Sequence, residues 1–151
     1  MKRAFLETRV PPLLLLGLLL LLAWGAGGPR SEFPGRAVLG LAAMAAGLGL
    51  KIVAALAFRA RGTTVNPISP ERSAALVVDG LYRVTRNPMY LGSALILAGW
   101  ALHLGAWVAV LTVPFFVLYM NRFQIGPEER ALSALFGADY DAYRARVRRW
   151  I

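Results

Sequence analysis

The 151-residue chain has no cysteine and a single histidine, His103. The first absence excludes disulfides, thiolate metal sites and cysteine nucleophiles. With only one imidazole, a His-based metal cluster is not expected either. Acidic residues are scarce, 8 against 17 Lys+Arg, giving a net charge of +9 and a pI near 11.1. Charge of either sign is missing from long stretches: Val10 to Pro29 has none, and Arg86 and Arg122 bracket another such run. Nucleic-acid binding is one source of a basic balance, but the uncharged runs speak against it. With 58% hydrophobic residues and a mean hydropathy of +0.55, a membrane protein with basic edges accounts for both properties.

The uncharged runs set the helix count. Leu dominates from Leu13 to Leu22, after a start carrying Lys2, Arg3 and Arg9. A basic start before an apolar run also describes a cleaved signal peptide. This run is long for one, no convincing small-x-small cleavage site follows, and another hydrophobic segment comes next. A first transmembrane helix over about 10–28 is therefore expected. Beyond a polar turn holding Arg30, Glu32 and Pro34, a second span is expected over 37–58. Its small residues, Gly40, Ala43, Gly47 and Gly49, would let helices approach closely in lipid. Gly47-Leu48-Gly49 superficially suggests a dinucleotide loop, but no strand precedes it. Lys51 interrupts this span, either snorkelling to the interface or serving as a buried functional cation.

As one helix, the roughly 35 uncharged residues between Arg86 and Arg122 would be about 52 Å long, well beyond a hydrocarbon core of about 30 Å. They must form two spans, over 88–103 and 105–122, turning at His103-Leu104-Gly105, with a kink at Pro114. His103 then reads as a turn residue, and Trp100, Trp107, Phe115, Phe116 and Tyr119 as packing and interface anchors. A polar loop is expected over 59–87 and a water-compatible tail over 123–151. In the tail, Gly126-Pro127 starts a helix with Glu128 and Glu129 in its first turn, Gly137 stops it, and Asp139 caps a second. The expected fold class is all-α: a single integral-membrane domain over 1–151, with about four transmembrane helices, a closing helical hairpin and short C-terminal helices.

Charge bias sets the expected orientation. Four spans put the N-terminus, the 59–87 loop and the tail on one side, with 14 of the 17 positive residues; only Arg30 and Arg36 lie on the other. The positive-inside rule then gives cytoplasmic N- and C-termini, in what is expected to be a bacterial inner membrane.

Arg86-Asn87-Pro88-Met89-Tyr90-Leu91-Gly92 marks the seam between charged loop and apolar run. Pro88 pushes Asn87 out of the α region and suits a first helical position, and Asn87 suits an N-cap. A helix N-terminus beside Arg86 at the membrane surface is a place to hold an anionic group. No serine nucleophile with its base, no metal site and no phosphate-cradling loop is legible. Singly, each charged element has a plainer reading: Glu128 and Glu129 stabilise a helix start, and the tail arginines and Arg122 bind headgroups.

The order of motifs changes this. Gly62-Thr63-Thr64-Val65-Asn66-Pro67, Leu76 to Arg83, Arg86 to Gly92, Glu128-Glu129-Arg130-x-Leu132 with Phe136-Gly137-x-Asp139-Tyr140-x-x-Tyr143, and the closing Val147-Arg148-Arg149-Trp150 resemble the isoprenylcysteine carboxyl methyltransferase family. The resemblance covers about residues 59–151. The wider group includes phospholipid and thiol methyltransferases, and its C-terminal half resembles that of sterol reductases. The resemblance implies S-adenosylmethionine as cofactor and a lipophilic or lipid acceptor; from the residues themselves no metal or nucleic-acid partner is expected. It implies that Arg86, Asn87, Pro88, Tyr90, Glu128, Glu129, Tyr140 and Tyr143 line the cofactor site. Many eukaryotic relatives have His where Asn87 stands. Arg122 is the candidate for orienting an anionic substrate group, and Glu128 for a catalytic carboxyl. An ionised carboxylate acceptor needs no base, whereas a thiol or amine does. A carboxylate is therefore the expected acceptor; thiol or amine methylation, and a nicotinamide-dependent membrane reduction, are the alternatives.

Overall fold

The structure is a computed structural model describing residues 7, 10–26, 30–62 and 75–151. Every extended element among them is helical; only two isolated β-bridges occur, Arg30 with Ala106 and Thr85 with Arg148. Proline and glycine set the boundaries. Helix α1 (Pro12–Gly25) opens on proline. Helix α2 (Arg36–Ala60) follows Gly35 at φ 85°. Helix α3 (Pro88–Leu104) opens on Pro88 and closes on Gly105 at φ 66°, a left-handed position that favours glycine.

The long apolar helices are dressed for lipid. In α2 only Gly40, Gly47 and Ala54 are buried, while Val38, Leu39, Leu48, Ile52 and Val53 are exposed. Two helical runs, Arg36–Ala60 and Trp107–Phe136, are long and apolar enough to cross a membrane; Pro12–Gly25 and Pro88–Leu104 are apolar but shorter.

Helices α2 and α3 form the main seam. A Cβ on Gly40 would stand 2.6 Å from the Gly99 carbonyl oxygen, and one on Gly47 would stand 2.5 Å from that of Gly92. Two glycine pairs thus let the backbones touch. Gly49, also expected in such a seam, faces open space. At one end of the bundle the two turns meet: Ser31 N–H donates to Gly105 O at 2.7 Å, and Arg36 Nη1 donates to His103 O. His103 stacks on Trp100, whose Nε1 donates to Leu20 O at 3.1 Å and ties α1 to α3.

The largest departure from the expected fold follows Ala106. Helices α4 (Trp107–Val110), α5 (Thr112–Tyr119) and α6 (Gly126–Phe136) run on as one helical rod, joined through a π-helical segment, Met120–Ile125. No separate helix begins at Gly126-Pro127. A proline inside an α-helix clashes with the carbonyl four residues earlier, and the wider π turn immediately before Pro127 relieves that clash. The rod is about 45 Å long, so its charged end projects beyond the apolar part. Gly137, at φ 52°, stops it, and α7 (Ala138–Arg146) turns back. Gly137 rather than Asp139 occupies the cap position there, and Asp139 lies in the first turn.

Candidate functional site

The charged end of the rod, the start of α3 and the last residues of the chain converge. The π segment aims Gln124 and the α6 carboxylates inward: Gln124 and Ile125 are buried at 2% and 1% exposure. Tyr90, in the first turn of α3, donates its hydroxyl to Glu128 Oε1 at 2.5 Å, and Gln124 Nε2 donates to the same oxygen at 2.6 Å. Residues 38 apart in sequence are thereby joined at one carboxyl. Burial pushes the Glu128 carboxyl up to about 7, against the hydrogen bonds from Tyr90 and Gln124, with the Glu129 charge adding to the rise.

Glu129 has the opposite environment. Its Oε1 accepts from Arg86 Nη2 at 2.7 Å and from Arg149 Nε at 3.1 Å, and its Oε2 accepts from Arg149 Nη2 at 2.5 Å. Burial works to raise this carboxyl, but the bonds from Arg149 and Arg86 outweigh it and hold it below the usual carboxylate range. Two adjacent carboxyls therefore differ at neutral pH: Glu129 is ionised and paired, while Glu128 titrates. Two guanidiniums meet one carboxylate, so the cluster keeps a surplus positive charge. Arg86 Nε is buried with no hydrogen-bond partner.

The chain end straps this site. Arg86 N–H donates to Arg148 O at 3.0 Å, its Nη1 donates to Val147 O at 2.6 Å and Arg144 O at 3.0 Å, and Thr85 Oγ1 donates to Arg149 O at 3.2 Å. Asn87 stands at the N-cap position of α3, but its side chain does not cap. Its Nδ2 donates to Arg149 O at 2.9 Å instead. Trp150 Nε1 donates to Asn121 Oδ1 at 3.0 Å, closing the strap onto the π segment.

Arg86, Asn87, Pro88, Tyr90, Glu128 and Glu129 thus share one buried locality. Arg122 turns elsewhere: it pairs with Glu7 at 3.0 Å, and Arg130 pairs with the other oxygen of Glu7 at 2.7 Å. Tyr140 and Tyr143 sit in an apolar cluster with Ala54, Val77 and Tyr82. The Tyr143 hydroxyl donates to Tyr82 O at 2.7 Å, and burial raises both phenols, Tyr140 to about 12. Sequence reasoning missed Gln124 and Arg149 as partners of the carboxyls. Gln124 was open to discovery through its i, i+4 spacing from Glu128. Arg149 stood in a basic cluster and in the closing Val147-Arg148-Arg149-Trp150 motif, but neither announced this contact. Gly62-Thr63-Thr64-Val65-Asn66-Pro67 lies almost wholly outside the described residues.

A cavity of about 290 Å³ lies between α1 and the α4–α5 part of the rod, lined by Leu19, Leu22, Ala23, Leu111, Thr112 and Phe115. Leu19 also belongs to the core cluster containing Tyr90 and Phe116, so apolar packing is continuous from this cavity to the site.

An uncharacterized protein of Haemophilus influenzae is 48% identical over 63 residues, 42% of this chain and all of that one. Protein-S-isoprenylcysteine O-methyltransferase of Schizosaccharomyces pombe is 33% identical over 72 residues, 48% of this chain but only 30% of the yeast enzyme. No solved structure matches. The family model for phospholipid methyltransferases matches residues 35–139, a stretch running from the start of α2 into α7 and taking in Tyr90, Glu128 and Glu129. The chain therefore belongs to the phospholipid methyltransferase family of membrane methyltransferases.

Proposed function

We propose that the chain is an S-adenosylmethionine-dependent methyltransferase of a bacterial inner membrane, acting on a lipophilic acceptor. In this reading all four apolar helices cross the bilayer, both termini are cytoplasmic, and the cytoplasmic ends of α3 and α6 hold the methyl donor. The observation that carries it is the Tyr90–Glu128 hydrogen bond of 2.5 Å beside the Arg86–Glu129–Arg149 cluster.

The donor set fits this cofactor, which carries a carboxylate, an ammonium, a sulfonium and ribose hydroxyls. Arg86 Nε, buried and unpartnered, suits the carboxylate. Glu129, ionised, suits the ammonium or a ribose hydroxyl, and Tyr90 with Pro88 forms an apolar wall. When bound, S-adenosylmethionine supplies an electrophilic methyl group. Positioning by the strap and the α3 start, with exclusion of water, is the protein's main contribution.

Arg122 is the residue assigned to aim an anionic acceptor group, which requires that it leave Glu7. A carboxylate acceptor is already ionised and needs only that orientation. A second reading has its own support: Glu128, with its carboxyl near 7, suits the removal of a proton from an amine or thiol. The family description names phospholipid methyltransferases, and the yeast relative's name an O-methyltransferase of isoprenylcysteine, so both kinds of acceptor stay in the test. The apolar cavity near Leu19 suits the acceptor's tail in either case. Labelled methyl incorporation into a panel of membrane lipids and small metabolites tests the proposal, with Glu128→Ala as control. Saturable, Glu128-dependent labelling is expected, and its absence across the panel overturns it.

A further inference from the structure

Lys51 is the one charged residue between Arg36 and Arg59, in the middle of a helix whose surface is otherwise dressed for lipid. It reaches across to α3 rather than along its own helix. Its stem lies across the glycine seam: a Cβ on Gly92 would stand 2.8 Å from Lys51 Cγ. Gly92 thus provides the groove that carries the ammonium to the first turns of α3. There Nζ donates to Ser93 Oγ at 2.7 Å and to Met89 O at 3.4 Å, and Ser93 Oγ passes a hydrogen bond on to Met89 O at 3.1 Å. Ser93 is fully buried.

Both acceptors are neutral, and among the described residues no carboxylate pairs with this cation. An ammonium has three N–H groups, and two are accounted for. A charge carried on an apolar span is costly and ordinarily pairs or faces a pathway. Hydrogen bonds fix this one, and among the described residues its charge is unanswered. Lys51 is half-buried, and Leu48 and Ile52 on the same flank of α2 are 53% and 50% exposed to the lipid side. The geometry therefore offers a fixed cation beside an apolar track.

We propose that Lys51, held by Ser93, is a recognition site for the anionic group, phosphate or carboxylate, of an amphiphile whose tail runs along α2 past Leu48 and Ile52. Met89 and Ser93 share one face of α3 within a turn of Tyr90, so an anionic headgroup held there is within a helical turn of the proposed transfer site. That last step rests on the proposed function; binding at Lys51 does not.

The test uses the full chain in phosphatidylcholine nanodiscs, with saturation binding of radiolabelled dodecyl phosphate and dodecanoate and with dodecanol as the neutral control. Lys51→Met is expected to weaken binding of the two anions by about tenfold or more, and Lys51→Arg to stay within about threefold of wild type. Dodecanol binding should be equal in all three. Lys51→Gln keeps a polar group in the seam and serves if Lys51→Met unfolds. Replacing part of the phosphatidylcholine with phosphatidylglycerol identifies the source. Competition with dodecyl phosphate assigns the site to bilayer headgroups, and its absence assigns it to single-chain amphiphiles. Equal anion binding by wild type and the neutral variants overturns the proposal, as does dodecanol binding as tight as dodecyl phosphate. S-adenosylmethionine titration of the same samples separates the two ideas, because its absence in wild type rejects the methyltransferase reading and leaves the amphiphile result standing.

Discussion

Raising the pH through neutrality should weaken the fold at one identifiable carboxyl. Glu128 moves from an ordinary value of 4.5 to about 7 in the folded state, so the folded protein holds this proton more tightly than the unfolded chain. Its contribution is present in full below about pH 4.5 and is lost as the pH climbs through about 7. A shift of that size corresponds to about 3 kcal/mol, as an upper limit because the carboxyl keeps some contact with water. Glu129 acts in a different window: its depressed value gives stability that is lost only as the pH falls below its ordinary 4.5. Glu128→Gln keeps an oxygen to accept from Tyr90 and Gln124 but cannot ionise. Detergent-titrated unfolding followed by circular dichroism, from about pH 5 to about pH 8.5, should show wild type losing up to about 3 kcal/mol and the variant staying nearly flat. Equal pH dependence in the two proteins would refute the assignment of a buried, near-neutral carboxyl at Glu128.

Other perturbations follow from the same contacts. Glu129→Ala leaves Arg86, 10% exposed, without its carboxylate, and should cost about 3 kcal/mol or more. Hydrogen exchange at residues 147–151 should rise as the strap loosens. Gly47→Leu places side-chain atoms against the Gly92 backbone and should cost about 1–3 kcal/mol, whereas Gly49→Leu, facing open space, should be near neutral. Unfolding titrations compare the two directly. Tyr143→Phe strips the Tyr82 carbonyl of its partner and should lower stability by about 1–2 kcal/mol, with methyl-donor affinity unchanged. A large affinity loss would move Tyr143 from packing into the site.

Much of the architecture was legible because proline, glycine and charge mark its boundaries. Pro88 and Gly105 bracket α3, and Gly137 ends α6, as the residues imply. The unbroken rod from Trp107 to Phe136 was not legible. Gly126-Pro127 has the local chemistry of a helix start, and only the preceding π turn, which no periodicity announces, lets the helix run through it. The site was legible as motif order rather than as contacts. Tyr90 and Glu128 carry no local sign that one bonds the other, since that depends on which face the π segment presents. Asn87 misled for the same reason: its cap position is real, but the tail carbonyl of Arg149 competes for its side chain. Arg122 was expected to orient an anionic substrate group; its pairing with Glu7, distant in sequence, was not legible.

Calorimetric titration of S-adenosylmethionine into the purified protein in nanodiscs, alongside NADPH, bears most directly on the claim that the start of α3 and the charged end of the rod jointly hold a methyl donor. The account predicts saturable binding of S-adenosylmethionine alone, weakened about tenfold or more by Glu129→Ala. Saturable binding of NADPH with none of S-adenosylmethionine would contradict it.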